Sequence, residues 1–347
     1  MKKVMFLYME LAGYMVECIN HLVKHHHTQV KIIAYPVNLE APFQFKFEDG
    51  VDVLSRWELD QNQITEHIQT FSPDLIYVSG WADKTYVNCI KPLQTKTVIG
   101  FDNQWFGNPK QQLLALGAKW FLPKWFNYAF VPGQPQVTFA KKLGFKPHQI
   151  KEGVYCCDYP LFHEYGESGM VHRKSKWPKK LLWVGRYIEA KGAKAMWEAF
   201  IQANEENGEE WELHCAGTGE LWDERIEHPS IIHHGFIQPS ELKTLTLDSG
   251  AFILPSPFEP WGVVVHEFAA AGLPLLLSDQ VGAASKFLQN EVNGWNIDLK
   301  KEGHMKSRIS ELMQSSEEKL RKMGEESRKK AATLTPKIWS ETILSMS

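Results

Sequence analysis

Short apolar runs of strand length alternate along the chain with longer stretches of mixed polarity. This alternation predicts parallel α/β sheets. In the first half the strands fall near 3–8, 30–35, 74–78, 97–101 and 128–131, with helices between them. Around 158–180 the chain turns polar and irregular, with Pro160, Gly166, Gly169 and Pro178 set among charges, and reads as a linker. A second series follows at 181–184, 211–216, 231–234, 251–254 and 275–277. The expectation is therefore two doubly wound, Rossmann-like α/β domains, 1–157 and 181–335. The linker occupies 158–180, and a C-terminal helix over 336–347 is able to pack back on the first domain. No repeat of 20 to 50 residues interrupts the pattern.

Length agrees with two domains, since 347 residues exceed the usual single-domain size. Lysines and arginines read as dispersed, and a formal charge of −3 offers no field for nucleic acid, so none is expected as a partner. Five cysteines, without a C-x-x-C pair and its histidines, point to neither zinc nor redox chemistry, and a reducing cytoplasm is the expected location. His25, His26 and His27 read as the polar end of a helix rather than a metal site. The N-terminal apolar run is broken by Glu10 and reads as a first strand, not a leader. No apolar stretch is long enough to span a bilayer.

Candidate chemistry concentrates beyond the carboxyl ends of the second series, where ligands of such sheets bind. In FEPWGVVVHEFAAAGLP, residues 258–274, Glu259 and Glu267 flank the start of one predicted helix over 261–271. Pro260 suits its first turn, and Gly272 with Pro274 its end. The amides of Trp261, Gly262, Val263 and Val264 would then point positive potential at diphosphate oxygens beside Glu259, and Glu267 could accept hydrogen bonds from a diol such as ribose. GRYIEAKG, residues 185–192, places Arg186 at a strand tip and Lys191 on the same rim, two cations suited to charge building on a departing diphosphate. AGTGEL contributes Gly217, whose lack of a side chain allows close backbone approach.

The two glutamates resemble the Glu-x7-Glu signature of retaining glycosyltransferases, in particular glycosyltransferase family 4, and GRYIEAKG resembles that family's GR-x-x-x-x-KG motif. The resemblance extends from about residue 181 to 296. It implies the GT-B architecture, two Rossmann-like domains facing across a cleft, with the acceptor on the first and the nucleotide-sugar on the second. It further implies that Glu259 holds the donor sugar, Glu267 the ribose, and Arg186 and Lys191 the diphosphate. Phe236 and Ile237, in HHGFIQPSEL, would cover the base. After the first strand Gly13 stands in the loop that approaches donor phosphate and acceptor. The fourth strand leads into Phe101 where many members carry His, so no catalytic His is transferred, and Asp102 or Asn103 could orient the acceptor.

What the resemblance implies is a retaining, metal-independent transferase, without a cofactor, that moves a sugar from a UDP- or GDP-sugar to a hydroxyl in glycan, polysaccharide or glycolipid assembly. The chain also lacks the Asp-x-Asp motif of metal-dependent transferases. Two other readings stay open: a nucleotide-sugar epimerase on the same fold, and a donor-binding but inactive subunit of a transferase complex. GAKWFLPKWF, residues 117–126, mixes Trp120 and Trp125 with Lys119 and Lys124. Such a segment could rest on the inner face of an anionic membrane and reach a lipid-linked acceptor, or be an ordinary packing element.

Overall fold

The computed structural model describes residues 1–36, 45–208 and 210–347, whose strands form two sheets in which every pairing is parallel. The first contains β1 (Lys3–Glu10), β2 (Gln29–Tyr35), β3 (Val51–Ser55), β4 (Leu75–Ser79), β5 (Lys96–Gly100), β6 (Tyr128–Val131) and β7 (Ile150–Glu152) in the order β3-β2-β1-β4-β5-β6-β7. Its helices are α1 (Gly13–His26), α2 (Gln61–Phe71), α3 (Lys84–Ile90), α4 (Pro109–Ala118), α5 (Leu122–Trp125) and α6 (Gln134–Lys142). Val4, Met5, Phe6 and Leu7 of β1 are wholly buried, as expected of a central strand covered on both faces. The edge strands β3 and β7 were not foreseen, because β3 is half-exposed and β7 is three residues long, so neither carries an apolar run.

The second sheet contains β8 (Lys180–Val184), β9 (Glu212–Ala216), β10 (Ile231–Gly235), β11 (Ala251–Leu254), β12 (Leu275–Ser278) and β13 (Gly294–Ile297), ordered β10-β9-β8-β11-β12-β13. With it go α7 (Tyr159–His172), α8 (Ala193–Glu206), α9 (Lys243–Leu247), α10 (Val263–Ala270), α11 (Ala284–Phe287), α12 (His304–Met313) and α13 (Glu317–Ala331). A final helix, α14 (Pro336–Leu344), belongs with the first sheet, so the chain divides into a first unit, 1–158 with 334–347, and a second, 159–333. Trp339 of α14 is wholly buried against Phe6 and Phe130, with ring centroids 6.2 and 6.3 Å away, and its indole N–H donates to the Val154 carbonyl at 2.9 Å.

The stretch read as a linker is instead mostly α7. Its apparent breakers are packing residues: a Cβ at Gly166 would lie 2.6 Å from the Ala270 carbonyl oxygen, so glycine is what lets α7 press onto α10. Phe162 and Tyr165 are buried beside it. Arg173, one of the charges that suggested solvent, is buried and donates to the carbonyls of Thr246, Ser249 and Ala271 at 3.2, 3.2 and 2.9 Å. Burial lowers its pKa to about 10.

Candidate functional site

Both sheets reverse their strand order once, between β1 and β4 in the first and between β8 and β11 in the second. Beyond the carboxyl ends of such a pair no crossover helix covers the crevice, which makes it the natural ligand position. In the second unit the turn after β8 carries Arg186 and Lys191, and the turn after β11 carries Glu259. Lys191 forms an ion pair with Glu259, so the two turns are tied across the switch point. Both groups are largely removed from solvent, with side-chain exposures of 19% and 10%. Arg186 differs: it is exposed, and its guanidinium has no partner among the described residues.

The rim continues onto β9 and β10 through main-chain contacts. Gly185 N–H donates to the Ala216 carbonyl at 3.0 Å, and Gly217 N–H to the Gly235 carbonyl at 2.7 Å. Gly217 sits at φ +138°, and a Cβ there would overlap the Gly185 carbonyl oxygen. The neighbouring strand turn alone therefore demands glycine. Phe236 and Ile237 follow directly after β10 and are half-buried.

Tyr187 is the residue that reading the motif missed. Within GRYIEAKG it is wholly buried, at centroid distances of 5.1 Å from both Trp183 and Trp222, and its hydroxyl meets His233 Nδ1 at 2.8 Å. Its N–H donates to Thr218 and its carbonyl accepts from Leu221, each at 2.9 Å. The aromatic directly after Arg186 was the signal that could have revealed this anchor.

The helix after Glu259 starts later than expected. α10 begins at Val263, not 261, and Pro260 and Trp261 lie in the preceding turn. Gly282 N–H donates to the Glu259 carbonyl at 3.0 Å and Ala283 N–H to the Trp261 carbonyl at 2.9 Å, which holds this stretch beside 281–283 while the Trp261 ring is buried. Gly262 then turns the chain at φ +90°, where a Cβ would approach Glu259 Cγ to 3.1 Å. Of the four amides expected at the helix start, Val263 and Val264 occupy it, and Trp261 and Gly262 precede it. Glu267, one turn on, shares with Val263 and Val264 the less buried face of α10, while Val265, His266 and Phe268 enter the core.

Gly13 and Asp102 belong to the first unit. Gly13 is the first residue of α1, exposed, and a Cβ there would meet nothing within 4 Å, so the fold does not itself require glycine. Asp102 is half-buried past β5, and its carbonyl accepts from Gln136 Nε2 at 3.0 Å. Its carboxylate, after burial, helps push the Tyr155 phenol up. Phe101 is part of the core, 5.4 Å from Trp81 and 5.9 Å from Phe139 between centroids. On α1, burial and then Asp158 raise the Glu17 carboxyl to about 7.

Trp120 and Trp125 are not equivalent. Trp120 is 68% exposed, whereas Trp125 is half-buried, tilted against Phe121 with ring centroids 4.6 Å apart and with Lys91 Nζ 4.2 Å from its ring centre. Nor are the cations dispersed as the composition suggested: residues 84–151 hold ten lysines and a single carboxylate, Asp102. Among the described residues no helix is long and apolar enough to cross a membrane, and no group of three or more His, Cys, Asp or Glu is placed to hold a metal ion.

Two parallel, Rossmann-like units of this topology define the GT-B class of α/β folds. Residues 169–330 match the family described as "Glycosyl transferases group 1", so the second unit is a glycosyl transferases group 1 domain. An uncharacterized glycosyltransferase of Methanocaldococcus jannaschii is 32% identical over 123 residues, 33% of this chain and 31% of that protein. The chain thus spans about a third of that relative's length. Among solved structures, Anabaena HepE in complex with UDP and glucose superimposes with a TM-score of 0.75 at 14% identity, covering 99% of each chain. Sucrose-phosphate synthase from Thermosynechococcus elongatus gives 0.74 at 15%, over 100% of this chain and 97% of the other.

Proposed function

We propose that this chain is a retaining, metal-independent glycosyltransferase of the family 4 type, moving a sugar from a UDP- or GDP-sugar to a hydroxyl of a glycan, polysaccharide or lipid-linked acceptor. The observation that carries the reading is the ion pair of Lys191 with Glu259 across the β8/β11 switch point, with Arg186 exposed on the same turn after β8. A bound diphosphate gives Lys191 an anion to share with Glu259, and Arg186, uncommitted, supplies a fork for the same oxygens. Charge that develops as the diphosphate leaves is stabilised by these two cations and by the amides at Val263 and Val264. Glu259 orients the sugar hydroxyls, and Glu267 accepts from the ribose diol. Phe236 and Ile237 cover the base, Gly13 admits the phosphates, and Asp102 orients the acceptor. The leaving phosphate itself helps to take the acceptor proton, so no carboxylate serves as covalent nucleophile. That HepE was obtained with UDP and glucose favours a UDP-sugar. A lipid-linked acceptor would place the enzyme at the cytoplasmic face of a membrane, with Trp120 as the contact.

Incubation with UDP-, GDP- and ADP-sugars, without acceptor and with EDTA, tests the reading. Slow release of sugar with its anomeric configuration kept is the expected result. Interconversion of two nucleotide-sugars would mean an epimerase. Binding without turnover, with or without a glycan acceptor, would mean an inactive subunit, the alternative that Phe101 in the core favours.

A further inference from the structure

A cavity lies within the first unit, and none of the residues assigned above to the donor lines it. It measures about 320 Å³, at the low end of small-molecule pockets, and is walled by Trp81, Leu114, Phe121, Leu122, Trp125 and Leu143. Lys84, the first residue of α3, and Lys91, the residue directly after it, also line it and are exposed, so the lining adds two cations to an apolar interior. Lys91 bonds Asn88 Oδ1 at 3.0 Å, and neither lysine is paired with a carboxylate among the described residues.

The surface around the mouth is built unlike that of an ordinary helix. On α4 the alanines, Ala115 and Ala118, are buried, while Leu113 is 73%, Leu114 43% and Leu116 58% exposed. Trp120 continues the patch, with Lys119 Nζ 5.5 Å from its ring centre. A helix that turns its leucines outward, in a stretch with ten lysines and one carboxylate, is matched to a partner that is apolar and anionic together. One end of the cavity is Trp81, which packs on Phe101, the residue before Asp102. An apolar chain in the cavity would thus lie close to the group assigned to the acceptor.

We infer that this cavity receives the hydrocarbon chain of an anionic, phosphate-bearing amphiphile, with the phosphate at Lys84 and Lys91, and that the acceptor hydroxyl is carried by a lipid of this kind. The use of the lipid as acceptor rests on the proposed transferase reading; its binding does not.

Dodecyl phosphate, kept below micelle formation, is titrated against the full chain without donor and followed by tryptophan fluorescence. Saturable binding that weakens with salt is expected, with inorganic phosphate failing to compete at equal concentration. Leu114→Glu, at an exposed position on the cavity wall, and the pair Lys84→Gln with Lys91→Gln should each reduce affinity at least tenfold. Circular dichroism and thermal unfolding serve as the check that each variant folds. Failure of dodecyl phosphate to bind, or equal binding by the folded variants, overturns the inference. So does attachment to phosphatidylglycerol vesicles without binding of the single amphiphile, which would make the patch a surface contact only. Binding of dodecyl phosphate with no sugar transfer from any donor leaves the lipid site standing and removes the transferase reading.

Discussion

Lys191 reaches Glu259 from the far side of the point where the second sheet reverses its strand order, so the cation assigned to the diphosphate and the carboxylate assigned to the sugar form an ion pair with each other. Altering either removes a charge that the other pairs with at a largely buried position.

Arg186→Ala and Lys191→Ala should therefore part company. Each is expected to lower turnover by about 10² to 10³, the usual effect of removing one group that stabilises developing charge. In urea unfolding only Lys191→Ala should also lose stability, roughly 1–3 kcal/mol, because it removes the ammonium paired with the buried Glu259 carboxylate. Wild-type turnover in either variant would remove the diphosphate assignment.

Glu259→Gln should depress turnover while leaving calorimetric binding of the free nucleoside diphosphate nearly unchanged. Glu267→Ala should weaken nucleotide and nucleotide-sugar alike, by about 1.5–3 kcal/mol for hydrogen bonds to a charged group. Equal losses of nucleotide affinity in both variants would contradict the division of roles.

Gly217→Ala should damage the site without touching a ligand-binding side chain. At φ +138° and against the Gly185 carbonyl, the added methyl forces the turns after β8 and β9 apart. The backbone strain alone is on the order of 1–3 kcal/mol. Loss of UDP affinity with Arg186 and Lys191 intact is the expected result, and unchanged affinity and stability would show that the turn can yield.

Trp120→Ser should leave thermal stability unchanged and lower attachment to anionic vesicles. Trp125→Ser should destabilise by roughly 1–3 kcal/mol, since it removes a half-buried ring packed against Phe121. Vesicle binding indifferent to Trp120 would end its role as the contact.

Glu17 supplies a pH test. Its folded carboxyl is raised to about 7 from an ordinary 4.5, so between these values the folded chain holds a proton that the unfolded chain has lost. Its contribution to stability is thus present below pH 4.5 and lost as pH rises through 7. Glu17→Gln should accordingly unfold at higher urea than the parent at pH 8, with the difference closing towards pH 4.5.

Most of the sheet framework was legible because central parallel strands are buried on both faces and so appear as apolar runs. β3, β7 and β13 lack such runs and did not, β13 being four residues long with Gly294 and Asn296 among them. Residues 158–180 misled because glycine and arginine were read by their usual surroundings, whereas Gly166 serves a close helix contact and Arg173 satisfies buried carbonyls. Arg186, Lys191 and Glu259 could be placed at strand tips from their spacing alone. That two of them pair could not, since it depends on which strands become neighbours. The basic block over 84–151 was present in the residue order and was lost by averaging charge over the whole chain.

The course of the chain sets an order of assembly. Residues 159–333 form a continuous segment that can complete its core as soon as it has left the ribosome, whereas the first unit lacks Trp339 between Phe6 and Phe130 until α14 has been made. During synthesis the earlier half is thus the later to mature. A premature stop shortly before residue 334 would release a finished second unit beside an N-terminal sheet with a tryptophan-sized hole, a species for proteolysis to find at the end opposite the lesion.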